Sequence, residues 1–206
     1  MYIYIMNIVK EITNNDTVYY DAFKLLLDFK KNLDTNNNNI IKADHWNAYP
    51  IKINSNDYLK IKPFVDILIK NVENILQKSC TDIGKIVVVK TFTSNKQINT
   101  GAFVWHWDNG PPDILDILVY LNNVDQPNCG EFEYLTKLVD NVYVPDINTY
   151  FKDRGGMRNI NLNNKKINKF LGKEGDYVIF QNNVSHRAST PIIQNRYRLS
   201  IQIQLN

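Results

Sequence analysis

What most restricts the fold of this chain is its back half. From Gly84 onward, the stretches GKIVVVKTFTS, GAFVWHWD, ILDILVYLN, GEFEYL, GDYVIFQN and RYRLSIQIQL are rich in β-branched and aromatic residues, with Gly, Pro, Asn or Asp between them. Such residues suit a pleated, half-buried surface, and the separators are turn formers. No helix alternates with these strands, which argues for a sandwich, barrel or jelly roll. The polar stretch NLNNKKINK, Asn161 to Lys169, reads as a loop between two strands.

The front half has a different period. After Asp16, an N-cap candidate, the segment TVYYDAFKLLLDFKKNL carries Tyr19, Phe23, Leu26 and Leu27 at helical spacing. A polar loop, TNNNN at Thr35 to Asn39, stops it. A second helix is expected to begin near Pro63, with proline in its first turn and with Phe64, Val65, Leu68, Val72, Ile75 and Leu76 as one apolar stripe. That stripe reads as a helix covering a sheet. The start, MYIYIMNIVKE, has no basic residue before its short apolar run and reads as a strand, not a signal peptide.

Bulk properties bound the function. A chain of 206 residues fits a single domain, spanning 1–206, with a helical part to about residue 80 packed on a β core from 84 to 206. A net charge of +3 is too small to argue for nucleic acid or an acidic membrane as partner. Cys80 and Cys129 lie far apart with no CxxC spacing, which favours a reduced, intracellular protein, and a cytoplasmic location is expected. No apolar run approaches the roughly 20 residues of a membrane span.

Three histidines occur, at 45, 106 and 186. His45, in KADHWNAYP, lies in a loop-like stretch without metal-ligand spacing. His106 and Asp108 stand two apart in WHWD on an expected strand, so they point one way while Trp105 and Trp107 point the other, toward packing. His186 follows the strand GDYVIFQ. Two imidazoles and a carboxylate can hold non-haem Fe(II) on one face of an octahedron, leaving the other face open. By ligand type alone, hydrogen-bonded polar groups inside a barrel explain the same three residues equally well. Arginine downstream shifts that balance. Arg196 lies ten positions after His186, and Arg198 two further on. An arginine inside a barrel is costly unless it meets an anion. Its planar fork suits a carboxylate, as of a dicarboxylate that chelates iron at its other end. A surface arginine on an edge strand describes one of the two equally well.

The motifs WHWDN, ILVYLNNVD, CGEFEYL, EGDYVIFQNNVSHRASTP and NRYRLSI, in that order over roughly the last 120 residues, resemble the Fe(II)/2-oxoglutarate-dependent dioxygenases. The likeness is to their prolyl-hydroxylase-like and phytanoyl-CoA-dioxygenase-like branches. The resemblance implies a mainly β fold with N-terminal helices, a double-stranded β-helix (jelly roll, cupin-like) with helices on the outer face of one sheet. It implies His106, Asp108 and His186 as iron ligands and Arg196, by its spacing after His186, as partner of the distal carboxylate of 2-oxoglutarate. Arg198 is the alternative partner. Tyr120, in a VYLNN context, matches a tyrosine whose hydroxyl donates to that carboxylate in the prolyl-hydroxylase-like branch. The activity implied couples oxidative decarboxylation of 2-oxoglutarate by O2 to oxidation of a primary substrate, a small molecule or a protein side chain, with ascorbate as a supporting reductant. Related halogenases leave the carboxylate position empty, so Asp108 favours hydroxylation or a similar oxidation.

Residues 1 to about 80 carry no motif that selects a substrate. The loop DRGGMRN, Asp153 to Asn159, offers Arg154 and Arg158, and Asn109 follows the HxD pair; loop charge and turn formation are the default readings of these. Two rivals stand against the oxygenase: a non-catalytic cupin-like protein that binds a metal or small molecule, and a metal-dependent jelly-roll enzyme that uses no oxo acid. The second usually builds its site from more histidines than this chain has.

Overall fold

The terminal strand shows how the architecture is decided. Leu199, Ile201, Ile203 and Leu205 are buried in one apolar cluster with both helices, while Arg198, Ser200, Gln202 and Gln204, alternating with them, turn to the other face. The computed structural model describes residues 9–13, 16–33, 40–43, 45–80, 82–108, 113–147, 161–193 and 198–205. Its elements are β1 (Val9–Ile12), α1 (Thr17–Leu33), β2 (Ile41–Ala43), β3 (Trp46–Ile51), α2 (Asn56–Leu76), β4 (Ile83–Thr91), β5 (Leu115–Tyr120), β6 (Phe132–Val139), β7 (Val142–Pro145), β8 (Lys165–Phe170), β9 (Tyr177–Gln181), β10 (His186–Ala188) and β11 (Leu199–Leu205).

Among the described residues the strands form two sheets, antiparallel throughout. The larger runs β1-β9-β5-β11-β4-β3-β2. In the smaller, β6 pairs with β8 along one edge and with β10 and β7 along the other. One face of the large sheet packs on the helices: Ile86, Val88, Ile117, Val119, Ile179 and Ile201 meet Tyr19, Phe23, Leu26, Phe64 and Leu68. Its other face meets the small sheet, Leu118, Tyr120, Val178 and Phe180 clustering with Phe132 and Phe170. With both faces covered, β5 is buried along its whole length, and each large apolar side chain so buried stabilises the fold by about 1.5–3 kcal/mol. The interior between the sheets is where the inward polar residues of β11 project.

The helices are those expected, with one displaced boundary. Asp16 caps α1 by accepting the Val18 N–H at 2.9 Å. α2 begins at Asn56, not near Pro63: Ser55 caps it by accepting the Tyr58 N–H at 3.2 Å, and Pro63 lies inside the helix. Proline is tolerated there because it sits on the solvent side, where the carbonyl it leaves without an N–H partner, that of Leu59, can reach water. Phe64, Val65, Leu68 and Val72 are fully buried, whereas Ile75 is exposed at the end of the stripe.

Three stretches differ from expectation. NLNNKKINK contains β8, an edge strand whose outward lysines masked its period of two. KADHWNAYP contributes to the β2–β3 hairpin, with His45 in its turn. GAFVWHWD is not a continuous strand; it opens with a 3-10 turn at Gly101–Phe103 and bends at Val104 and Trp105 before a single bridge at His106. The TNNNN run and the DRGGMRN loop lie outside the described residues, as do Asn109 and the first eight positions.

Candidate metal centre

That single bridge builds the centre. The His106 N–H donates to the His186 carbonyl at 3.0 Å and the His186 N–H donates back to the His106 carbonyl at 2.8 Å. Residues exchanging both bonds across an antiparallel pair stand directly opposite, with side chains on one face. The two imidazole rings accordingly lie 4.4 Å apart. Asp108, two residues on and so on the same side, is fixed by its N–H donating to the Asn182 carbonyl at 2.7 Å.

Hydrogen bonding also decides which ring nitrogens face the centre. Nδ1 of His106 lies 2.8 Å from the Val104 carbonyl, and Nδ1 of His186 lies 2.9 Å from that of Val184. A carbonyl only accepts, so both Nδ1 atoms carry the proton and both Nε2 lone pairs are free, the orientation a metal-binding histidine needs. The Nε2 atoms lie 4.0 Å (His106) and 3.5 Å (His186) from the Asp108 carboxylate oxygens. One ligand atom from each of the three lies within 4.8 Å of the others. Burial, reinforced by the neighbouring His106, holds the His186 pKa well below the usual histidine range, so its imidazole stays neutral and ready to donate its lone pair. Phe132 and Phe180 pack on His186 at ring distances of 5.4 and 4.9 Å and wall one side of the centre with apolar surface.

A cavity of about 120 Å³ opens over the triad, and Arg198 and Gln202 line it with His106, Asp108 and His186. Arg198 is 3% exposed, and its Nε has no hydrogen-bond partner among the described residues. Guanidinium does not give up its charge in a protein, so this is a buried cation, within reach of the Glu131 charge, with one N–H left for a further acceptor. Its place depends on Gly130 of CGEFEYL, which has φ +92°; a Cβ there would meet the Arg198 Cβ at 3.0 Å. Ser200, the next inward residue of β11, is fully buried and its Oγ too lacks a partner. Arg196 lies outside the described residues.

Tyr120 is placed differently from its expected role. Its hydroxyl donates to the Phe170 carbonyl at 2.9 Å and accepts the Phe132 N–H at 2.9 Å. A phenol has one proton, and here it is committed to the backbone, joining β5 to the β6–β8 pair across the interior. Tyr120→Phe is therefore expected to cost about 1–3 kcal/mol of stability by stranding two buried backbone groups. Denaturant unfolding reads the loss directly, and calorimetry should find 2-oxoglutarate affinity little changed. A weakened affinity with unchanged stability would return the hydroxyl to the co-substrate.

Four inward residues escaped the sequence reading: Ser200, Gln202, Gln204 and Asp116. Their signal was available in RLSIQIQL, where each even position is polar, and in ILDILVYLN, where one aspartate interrupts an apolar strand. Asp116 is 9% exposed, and burial, with the Asp108 charge adding, raises its pKa to about 8. Between about pH 4 and 8 the folded state thus keeps a proton that the unfolded chain has released, so this carboxyl's contribution to stability falls as pH rises through that window, by on the order of 5 kcal/mol. A smaller gain from His186 opposes it, because that residue's lowered pKa adds stability as pH rises toward its unfolded value. Thermal melting should show Asp116→Asn gaining stability relative to the wild type between pH 5 and pH 8. Parallel profiles would mean that the carboxyl ionises without cost.

No family model matches the chain, and no curated protein does. Solved structures do. The epimerase SnoN in complex with Fe3+, alpha-ketoglutarate and nogalamycin RO aligns with TM-score 0.63 at 14% identity, over 96% of this chain and 78% of that one. A Pseudomonas putida prolyl-4-hydroxylase aligns with TM-score 0.56 at 13% identity, over 96% and 91%. HygX from Streptomyces hygroscopicus, with nickel and 2-oxoglutarate bound, aligns with TM-score 0.56 at 12% identity, over 96% and 82%. The chain shares the fold of these proteins: mostly β, with few helices and antiparallel sheets.

Proposed function

We propose that this protein is an Fe(II)- and 2-oxoglutarate-dependent oxygenase of the double-stranded β-helix fold, acting as a hydroxylase. The observation that carries the reading is one cavity in which two Nε2 lone pairs and a carboxylate converge beside a buried arginine whose Nε has no partner among the described residues. Two imidazoles and one carboxylate fit Fe(II) with positions left open. His106, Asp108 and His186 would hold the ion, and Arg198, with Ser200 beside it on the strand, would hold the distal carboxylate of 2-oxoglutarate. The likeness to structures that carry iron or nickel with 2-oxoglutarate supports this assignment.

When bound, the iron and its co-substrate supply the oxidising chemistry: 2-oxoglutarate, O2 and a substrate C–H become succinate, CO2 and a substrate C–OH. The chain's own contribution is orientation. The Val104 and Val184 carbonyls hold the rings in one tautomer, Phe132 and Phe180 keep water from one side, and Arg198 fixes the co-substrate's far end. Within this reading the protein is a single domain, and ascorbate serves as an auxiliary reductant.

Anaerobic calorimetry tests the co-substrate site apart from turnover. We expect one Fe(II) per chain, and 2-oxoglutarate affinity at least about tenfold higher with the metal than without, since chelation and the arginine pair then act together. Metal binding without any binding of 2-oxoglutarate would favour a cupin-like binding protein.

A further inference from the structure

A second cavity, of about 240 Å³, adjoins the metal cavity and shares Asp108 and Gln202 with it; its other walls are Lys85, Val87, Asp116 and Gln204. Its polar wall follows from strand register. Gln204 of β11 stands opposite Asp116 of β5 on one side and opposite Lys85 of β4 on the other. Three neighbouring strands thus lay a carboxyl, an amide and an amine in one row on the inward face. Gln202 and Val87 form the next row toward Arg198. Lys85 is exposed and Gln204 half-buried, but Asp116 is buried, and a buried carboxyl is costly unless something polar meets it.

Asp116 gives the row its chemical preference. Gln204 is its hydrogen-bonding neighbour, yet its Oδ2 is buried with no partner among the described residues. A carboxyl oxygen left in that state loses its hydration without compensation, and a ligand hydroxyl or amine would restore it, accepting from the protonated carboxyl or donating to the carboxylate. The two glutamine amides can each donate and accept, so the remaining polar atoms of such a ligand are served as well. A hydrocarbon chain in the same space would leave the buried Asp116 Oδ2 unpaired.

We propose that Asp116, with Gln202, Gln204 and Lys85, is the specificity site for the primary substrate, which is a small polar molecule presenting a hydroxyl or amine to Asp116. The inference rests on the adjacent triad being the reaction centre, because the shared wall of Asp108 and Gln202 sets a molecule in this cavity against that centre. An apolar cavity lined by Trp46, Ala48, Val89 and Phe103 abuts the same row through Lys85, Val87 and Gln202, which makes alkanoates the proper contrast.

The test is direct binding to the full-length protein, read by ligand-observed NMR and calorimetry. The probes are a panel of polyols, amino alcohols and amino sugars, set against straight-chain alkanoates of matched length. At least one polar probe should bind saturably, and Asp116→Ala and Gln204→Leu should each weaken it about tenfold or more while melting cooperatively. His186→Gln, which disables the metal centre, should leave that binding in place, so a failed oxygenase reading and a failed polar site give different results. Alkanoates binding in preference overturns the proposal. So does polar binding indifferent to both substitutions, or no saturable polar binding at all.

Discussion

Replacing His186 with alanine is expected to remove Fe(II) binding and turnover together. The triad would be left with His106 and Asp108, and the Asp108 side chain is 45% exposed, so what remains is an open two-ligand site facing water. Because losing even a hydrogen-bond partner of a metal ligand costs about 10–100-fold in affinity, losing a ligand should exceed 100-fold. Alanine also leaves a void between Phe132 and Phe180, where the ring packs now. His186→Gln separates the two effects, since it fills most of that volume while offering no imidazole. Equilibrium dialysis with Fe(II) should find both variants empty and His106→Ala likewise. Full occupancy in any of them takes that residue out of the ligand set.

Arg198→Ala is the second large effect, and it is expected on a different species. Iron should still bind, since Arg198 is not a ligand, while 2-oxoglutarate affinity should fall roughly 10–100-fold, the worth of a charge-assisted pair of about 1.5–3 kcal/mol. Arg198→Lys should recover part of the loss, because it restores the charge but not the planar fork. Arg196→Ala is the comparison that decides between the two residues. If it produces the large loss and Arg198→Ala does not, the co-substrate's far carboxylate belongs to Arg196.

The contrast between those arginines shows what the sequence could carry. His106, Asp108 and His186 were legible because few residue types ligate iron and only three histidines were available to inspect. Arg196 and Arg198 are two apart, so a period of two cannot separate them; the structure describes Arg198, buried beside the triad and closely approached by Gly130, while Arg196 lies outside the described residues. Tyr120 shows the opposite limit. Its motif context pointed to the co-substrate, but the fate of its one proton depends on Phe170, fifty residues away in sequence. The fold divides the same way. Strong alternation and helical stripes gave most of the elements, while β8 was hidden because an edge strand can expose lysine on the face a central strand would bury. α2 starts seven residues before Pro63 because the Ser55 hydroxyl caps it and the proline is tolerated on its solvent side.

The central claim is that the triad and the buried arginine together couple 2-oxoglutarate to O2. The most direct measurement is succinate formed from 2-oxoglutarate by the purified protein with Fe(II), ascorbate and air, before any primary substrate is known. Slow, uncoupled succinate formation is expected, dependent on Fe(II), absent in His186→Gln and depressed in Arg198→Ala at limiting 2-oxoglutarate. No succinate above the His186→Gln background, together with no measurable 2-oxoglutarate binding to the Fe(II)-loaded protein, would contradict it.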